Sequence, residues 1–79
     1  MFEYYTPSDF KKLRRLLNLS QQQIADEVCV TKQTIGNFEN SEFVKNVPLA
    51  IVATMVLDKA LEKDKNKEAY RSIFTKLEV

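Results

Sequence analysis

The chain has no histidine and no tryptophan, one cysteine and one glycine among its 79 residues. Without histidine it cannot form Cys/His zinc fingers, Ser-His-Asp triads or any site that uses imidazole as an acid or base. A lone cysteine cannot form an internal disulfide, and a single glycine cannot build the glycine-rich loops that hold phosphates in nucleotide-binding proteins. We therefore expect a protein that is not an enzyme, with no catalytic residues, no metal site and no cofactor.

Net charge is almost absent as well. Twelve Lys and Arg residues face eleven Asp and Glu residues, which gives a formal charge of +1. This balance provides no bulk attraction to nucleic acid or to a membrane, so any electrostatic footprint must arise locally. The longest nearly apolar run, residues 47–57, is too short to span a bilayer, and the first residues lack the features of a signal peptide. We expect a cytoplasmic protein with no membrane partner.

Helix signals dominate the N-terminal half of the chain. Thr6 is followed by a proline and, two positions later, an acid, which predicts a helix over about residues 7–17. A Ser-x-x-Gln capping box at Ser20 predicts a second helix, and Thr31 caps a third over residues 32–40. Three aromatic residues before the first helix are expected to pack as a flap: Phe2, Tyr4 and Tyr5.

The C-terminal half predicts two more helices between residues 48 and 78. Pro48 opens a helix whose apolar residues recur at helical spacing, and we assign that stripe to the core. Residues 62–67 predict a short connection, or else the interior of one continuous helix. A last amphipathic helix then carries an apolar stripe that fits either core closure or a dimer contact: Ala69, Tyr70, Ile73, Phe74 and Leu77. With no strand pattern, the sequence predicts one domain over residues 1–79, an all-α bundle of about five helices.

Residues 21–40 carry the most specific pattern in the chain. Two short helices joined by a tight turn must cross steeply, and the crossing fixes the size of the residues between them. The crossing position holds the small Ala25, and the positions that face the core are all apolar: Ile24, Val28, Val30, Ile35 and Phe38. This is the helix-turn-helix pattern, whose second helix lies in the major groove of DNA.

The same stretch resembles the Cro/repressor type of helix-turn-helix protein, which is also called XRE-like. The resemblance covers about residues 8–58 and depends on the Leu-Ser-Gln opening at 19–21 and on Thr-x-Gln-Thr-Ile-x-x-Phe-Glu-Asn at 31–40. It implies a lambda-repressor-like DNA-binding domain that regulates transcription, a repressor that binds its operator as a homodimer, and a phage or mobile-element setting. Cys29 stands where this family commonly has a glycine of positive φ. We expect its side chain to be a small buried hydrophobe.

The outer face of the third helix supplies the candidate base-reading residues. If Ile35 and Phe38 point inward, polar side chains occupy the opposite face. Gln and Asn side chains can bond adenine through two hydrogen bonds, and Lys can reach the acceptors of guanine. The resemblance assigns the base edges to Lys32, Gln33 and Asn37. A second set is expected to contact the DNA backbone: Ser20, Gln21, Thr31, Asn40 and Lys45.

Two other features of the sequence, Gly36 and the basic cluster of the first helix, each allow two interpretations. Gly36, inside the third helix, either lets the backbone approach the groove closely or has no packing role at all. The basic cluster of the first helix is either a phosphate clamp or a solvated helix face: Lys11, Lys12, Arg14 and Arg15. Glu39 would repel phosphate at the end of the third helix, so we expect it to pair with an arginine of the first.

A different class of function competes with operator binding. The same scaffold can serve as a protein-interaction module of the antitoxin or anti-repressor type, whose main partner is another protein. The near-zero net charge favours this alternative, and an apolar patch left exposed over residues 70–77 would favour it further. RNA binding is a weaker third alternative, because the chain has no platform of stacking aromatic residues.

Overall fold

The computed structural model describes residues 2–78, and within that stretch it contains five helices and two short strands. Their order is β1 (Glu3–Tyr5), α1 (Pro7–Leu16), α2 (Gln21–Val28), α3 (Lys32–Glu39), α4 (Val47–Leu61), α5 (Lys67–Ile73) and β2 (Lys76–Glu78). The predicted all-α bundle of five helices is confirmed, with the small sheet as an addition. None of these helices is long and apolar enough to cross a membrane.

Side-chain caps mark where the first four helices begin. The hydroxyl of Thr6 and that of Thr31 each accept a hydrogen bond from the backbone N–H three residues further on, at 3.2 Å. At α2 the predicted capping box is complete, because Ser20 Oγ accepts from the N–H of Gln23 at 3.0 Å and the Gln23 amide oxygen accepts from the N–H of Ser20 at 2.7 Å. Asn46 caps α4 in the same way, so this helix starts one residue before Pro48.

The core lies where α1, α2, α3 and α4 meet. Its largest fully buried apolar side chains come from all four helices: Phe10, Leu13, Ile24, Ile35 and Leu57. The rings of Phe10 and Phe38 meet edge to face, with centroids 5.2 Å apart, which joins α1 to α3. Val28 and Val30 are half-buried against this core.

Helix α4 meets the core mainly through small side chains. Ala50 and Ala53 are fully buried, which lets the neighbouring elements approach the α4 backbone closely. The predicted apolar stripe is wrong at Val52, which is 44% exposed. The buried face of α4 runs through Ala50, Ala53 and Leu57, so Val52 and Met55 point away from it.

The turn of the helix-turn-helix passes through left-handed backbone at Cys29, with φ 59° and ψ 43°. Its N–H donates to the carbonyl oxygen of Ala25, which closes the last turn of α2. The positive φ expected at this position is confirmed. The buried environment expected for Cys29 is wrong, because the thiol is exposed: the left-handed residue turns the chain away from the core-facing stripe of α2.

A two-stranded antiparallel sheet joins residues 3–5 to residues 76–78, with Tyr4 opposite Leu77. The prediction of no strands is therefore wrong, and so is the extension of the last helix to Leu77. Helix α5 ends at Ile73, because Phe74 adopts an extended conformation (φ −108°, ψ 135°) that leads into β2. The exposure of Ile73 (64%) and Leu77 (47%) leaves part of the predicted apolar stripe open to solvent.

Tyr5 connects this sheet to α4. Its backbone N–H donates to Thr54 Oγ1 at 2.9 Å, and its hydroxyl donates to Asp58 Oδ1 at 2.8 Å. Lys76 pairs with the other oxygen of Asp58 and lies 5.3 Å from the centroid of the Tyr5 ring. Burial is the main reason that the pKa of the Tyr5 hydroxyl lies well above its ordinary value of 10.0, and the hydrogen bond to the carboxylate of Asp58 raises it further.

The prediction that the three aromatic residues before α1 pack as a flap is correct only in part. Tyr5 is buried and Tyr4 is half-buried against the core. Phe2 is 63% exposed, so the expectation that it packs is wrong. It precedes β1 and therefore lies outside the pairing that holds the two tyrosines.

The left-handed backbone at Cys29 predicts a stabilising substitution. We expect Cys29→Gly to raise the free energy of unfolding by about 0.5–1 kcal/mol, because glycine avoids the steric cost of φ 59° but loses more chain entropy on folding. Urea denaturation under reducing conditions measures the change. Cys29→Ala is the matched control, since it removes the thiol but keeps Cβ and should give no gain. A glycine variant no more stable than the alanine variant would show that the turn is unstrained.

Candidate nucleic-acid interface

A buried ion pair fixes the position of α3 on α1. Arg14 donates from Nε to Glu39 Oε2 at 2.5 Å and from Nη2 to Glu39 Oε1 at 3.0 Å. Its third donor, Nη1, reaches the carbonyl oxygen of Leu19 at 2.7 Å. The side chains of Arg14 and Glu39 are only 9% and 0% exposed. The expected pairing of Glu39 with an arginine of the first helix is confirmed, and Arg14 is its partner.

Gln21 ties α2 to the same pair. Its Nε2 donates to Glu39 Oε1 at 3.0 Å, and its amide group lies across Gly36. A Cβ placed on Gly36 would come no closer than 3.7 Å to that amide, so the space does not require a glycine. Because a primary amide carries two N–H donors, Gln21 keeps a second one for another partner.

The outer face of α3 is polar and open. Ile35 is fully buried and Phe38 is 6% exposed on its inner face. The structure places the three predicted base-reading residues together on the opposite side, where all are exposed: Lys32, Gln33 and Asn37. Lys32 has no ion-pair partner among residues 2–78, so its charge is not neutralised by the fold.

The residues expected to contact the DNA backbone lie on both flanks of this face. Gln21 approaches α3 from the start of α2, while Lys45 is exposed in the loop after α3 and lines a shallow cavity together with Asn37. The hydroxyls of Ser20 and Thr31 already accept capping hydrogen bonds from their own helices. The predicted position at the end of α3, Asn40, is exposed.

The basic cluster of α1 does not act as a unit. Arg14 points inward to Glu39, which removes it from any phosphate clamp. Lys12 and Arg15 are exposed and border a groove with Leu16 and Ile73, which is formed by α1 and the end of α5.

Sequence reasoning missed Phe43, which it assigned only to a loop. The side chain is 71% exposed and lines the same cavity as Asn37 and Lys45. The signal was present in the sequence, because Phe43 is a large apolar residue in the segment that directly follows the recognition helix.

Comparison with known proteins agrees with this geometry. A family model described as helix-turn-helix matches residues 10–54, which is more than half of the chain. The chain belongs to the Cro/C1-type helix-turn-helix family. As a member of this family it is a DNA-binding regulator, and the matched region runs from α1 through α3 into α4. No curated protein and no solved structure matches the chain.

The buried ion pair predicts a strong and non-additive mutational response. Arg14→Ala should lower the free energy of unfolding by about 3–5 kcal/mol, because it leaves the Glu39 carboxylate buried without its counter-charge. The double variant Arg14→Met with Glu39→Leu should be much less destabilised than the two single changes added together, since it removes both charges and keeps apolar volume.

Circular dichroism during urea unfolding measures both effects. Arg15→Ala is the matched control, because Arg15 is an exposed arginine on the same helix, and it should change stability by less than about 0.5 kcal/mol. A cost for Arg14→Ala as small as that of the control would contradict the assigned role of the pair.

Proposed function

We propose that this helix-turn-helix protein binds operator DNA sequence-specifically as a homodimer and represses transcription there. The observation that carries the proposal is the exposed polar face of α3, with Lys32, Gln33 and Asn37 on one side of a helix that a buried ion pair holds in place. Because α3 is fixed before DNA arrives, little ordering is needed on binding.

Each base-reading side chain fits a definite partner in the major groove. The ammonium group of Lys32 reaches the O6 and N7 acceptors of guanine, whereas the amides of Gln33 and Asn37 can each form two hydrogen bonds with adenine. The remaining contacts go to the DNA backbone, from the start of α2, the cap of α3 and the loop that follows: Ser20, Gln21, Thr31, Asn40 and Lys45.

Lys45 is the one cation among the five proposed backbone-contacting residues, and the net charge of the chain is only +1, so few phosphates are neutralised on binding. Each neutralised phosphate contributes about 0.9 to the slope of log affinity against log salt concentration, so few contacts give a shallow slope and weak non-specific binding. Discrimination by this protein then depends on the base contacts of α3 more than on general attraction to DNA.

A second copy supplies the affinity that one unit lacks. A single helix-turn-helix reads only a few base pairs, and two copies reach half-sites about one helical turn apart. Exposed apolar side chains outside the α3 face support this dimer, among them Val52 and Met55 on α4. The resemblance to phage repressors leads us to propose a cytoplasmic regulator of phage or mobile-element type.

One observation favours the alternative function, a module that binds another protein. Ile73 is 64% exposed and borders the groove lined by Leu16, Lys12 and Arg15. The apolar part of this groove, Leu16 and Ile73, belongs to α1 and α5, and no residue of α3 lines it, so a protein partner there and DNA at α3 are compatible.

Selection of duplexes from a random DNA pool tests the proposed function. We expect the wild-type protein to enrich an inverted repeat with half-sites about one helical turn apart. The variant Lys32→Ala with Gln33→Ala should lose that enrichment, because it removes two base contacts while leaving the buried face of α3 unchanged.

The matched control is Lys65→Ala with Asn66→Ala, an exposed lysine and amide in the connection between α4 and α5. This double variant should select the same DNA site as the wild-type protein. A folded wild-type protein that enriches no sequence at low salt would overturn operator binding and leave the protein-partner function as the better account.

A further inference from the structure

Phe43 is the most exposed large apolar side chain among residues 2–78, at 71%. It lies in the loop between α3 and α4, and the residues that line its cavity include the polar Thr34, Asn37 and Lys45. The apolar side chains of Phe38 and Leu49 line the same cavity, so the exposed Phe43 ring lies between an apolar patch and the polar edge of α3.

The position of Phe43 relative to α3 limits what can cover it. Thr34 and Asn37 are three residues apart and lie on the same side of the helix, so the cavity reaches the edge of the base-reading face at Asn37. Lys45 borders the same cavity on the loop side. A duplex that contacts both Asn37 and Lys45 must therefore pass close to the Phe43 ring.

The chemistry of the ring limits its partner within that duplex. A benzyl group makes no hydrogen bond, and the C5 methyl group of thymine is the apolar group that a base pair presents in the major groove. On the basis of the proposed function, we propose that Phe43 is a further specificity-determining residue, which contacts a thymine methyl group beside the base pair read by Asn37.

The test uses the selected duplex and a copy in which uracil replaces thymine at one position at a time, since uracil lacks only the methyl group. At one position per half-site, uracil should weaken wild-type binding about fourfold, the effect of exposing one methyl-sized group. Phe43→Ala should bind the thymine duplex less tightly by at least that factor, and uracil at that position should then cost nothing further. Fluorescence anisotropy measures all four affinities.

Phe2→Ala is the matched control, because Phe2 is also a largely exposed phenylalanine, 63%, but lies beside Met55 and β2. Uracil should cost Phe2→Ala the same factor as the wild type at every position, because Phe2 lies outside the cavity shared by Asn37 and Lys45. Since Phe43 is outside the core, Phe43→Ala should keep the helical circular dichroism spectrum and the thermal midpoint of the wild type.

Three results would overturn the proposal. The first is unchanged affinity of Phe43→Ala for the thymine duplex. The second is an equal uracil cost in Phe43→Ala and wild type at every position. The third is a weaker dimer of Phe43→Ala in sedimentation with the uracil cost retained, which would assign Phe43 to a contact with a second copy. A wild-type protein that selects no duplex would instead overturn the proposed function, and this inference with it.

Discussion

The buried contact between Arg14 and Glu39 is the constraint on which the rest of the structure depends. Two charges that are removed from water are tolerable only when each is paired and hydrogen-bonded, and here the carboxylate of Glu39 accepts from both Arg14 and Gln21. The three residues belong to α1, α2 and α3, so one polar cluster fixes three helices relative to one another. Sliding α3 along α1 would separate the charges, and this cost adds to the loss of packing between Phe10 and Phe38. The contact thus converts an eight-residue helix into a fixed surface for recognition.

This constraint also explains how a nearly neutral chain can act on DNA. Some of its acidic and basic residues pair with one another within the fold, as Arg14 does with Glu39 and Lys76 with Asp58. The basic groups near the α3 face are few, with Lys32 and Lys45 exposed and outside the ion pairs of residues 2–78. A surface of this kind attracts any DNA only weakly, so the sequence selectivity that we propose depends on hydrogen bonds and apolar contacts to particular bases. The exposed apolar residues of α1, α4 and α5 lie outside α3 and form surfaces to which a second copy or another protein can bind.

The sequence predicts the features of this fold that depend on short-range chemistry. Caps such as Ser20 act within one helical turn. The small Ala25 and the apolar positions up to Phe38 are required by the crossing of α2 and α3. The pairing of β1 with β2 was missed, because strands of three residues show no alternation and their partners lie more than seventy positions apart. The sequence predicts that Glu39 pairs with an arginine of the first helix. Which arginine it is, Arg14 or Arg15, depends on how α1 is rotated about its axis, and the sequence does not fix that rotation. The exposure of Cys29 and Phe43 likewise depends on how loops leave the helices, which residue type alone does not determine.

A nitrogen-15 NMR titration of the folded protein with its selected duplex tests the central claim most directly. Our account predicts that the largest amide shift changes fall on residues 32–40, on the start of α2 and on the loop that contains Phe43 and Lys45. Amides of α5 and β2 should change little, because those elements lie outside the proposed DNA-contacting surface. Shift changes centred on residues 67–78, with α3 unaffected, would contradict the claim that α3 is the surface that reads DNA.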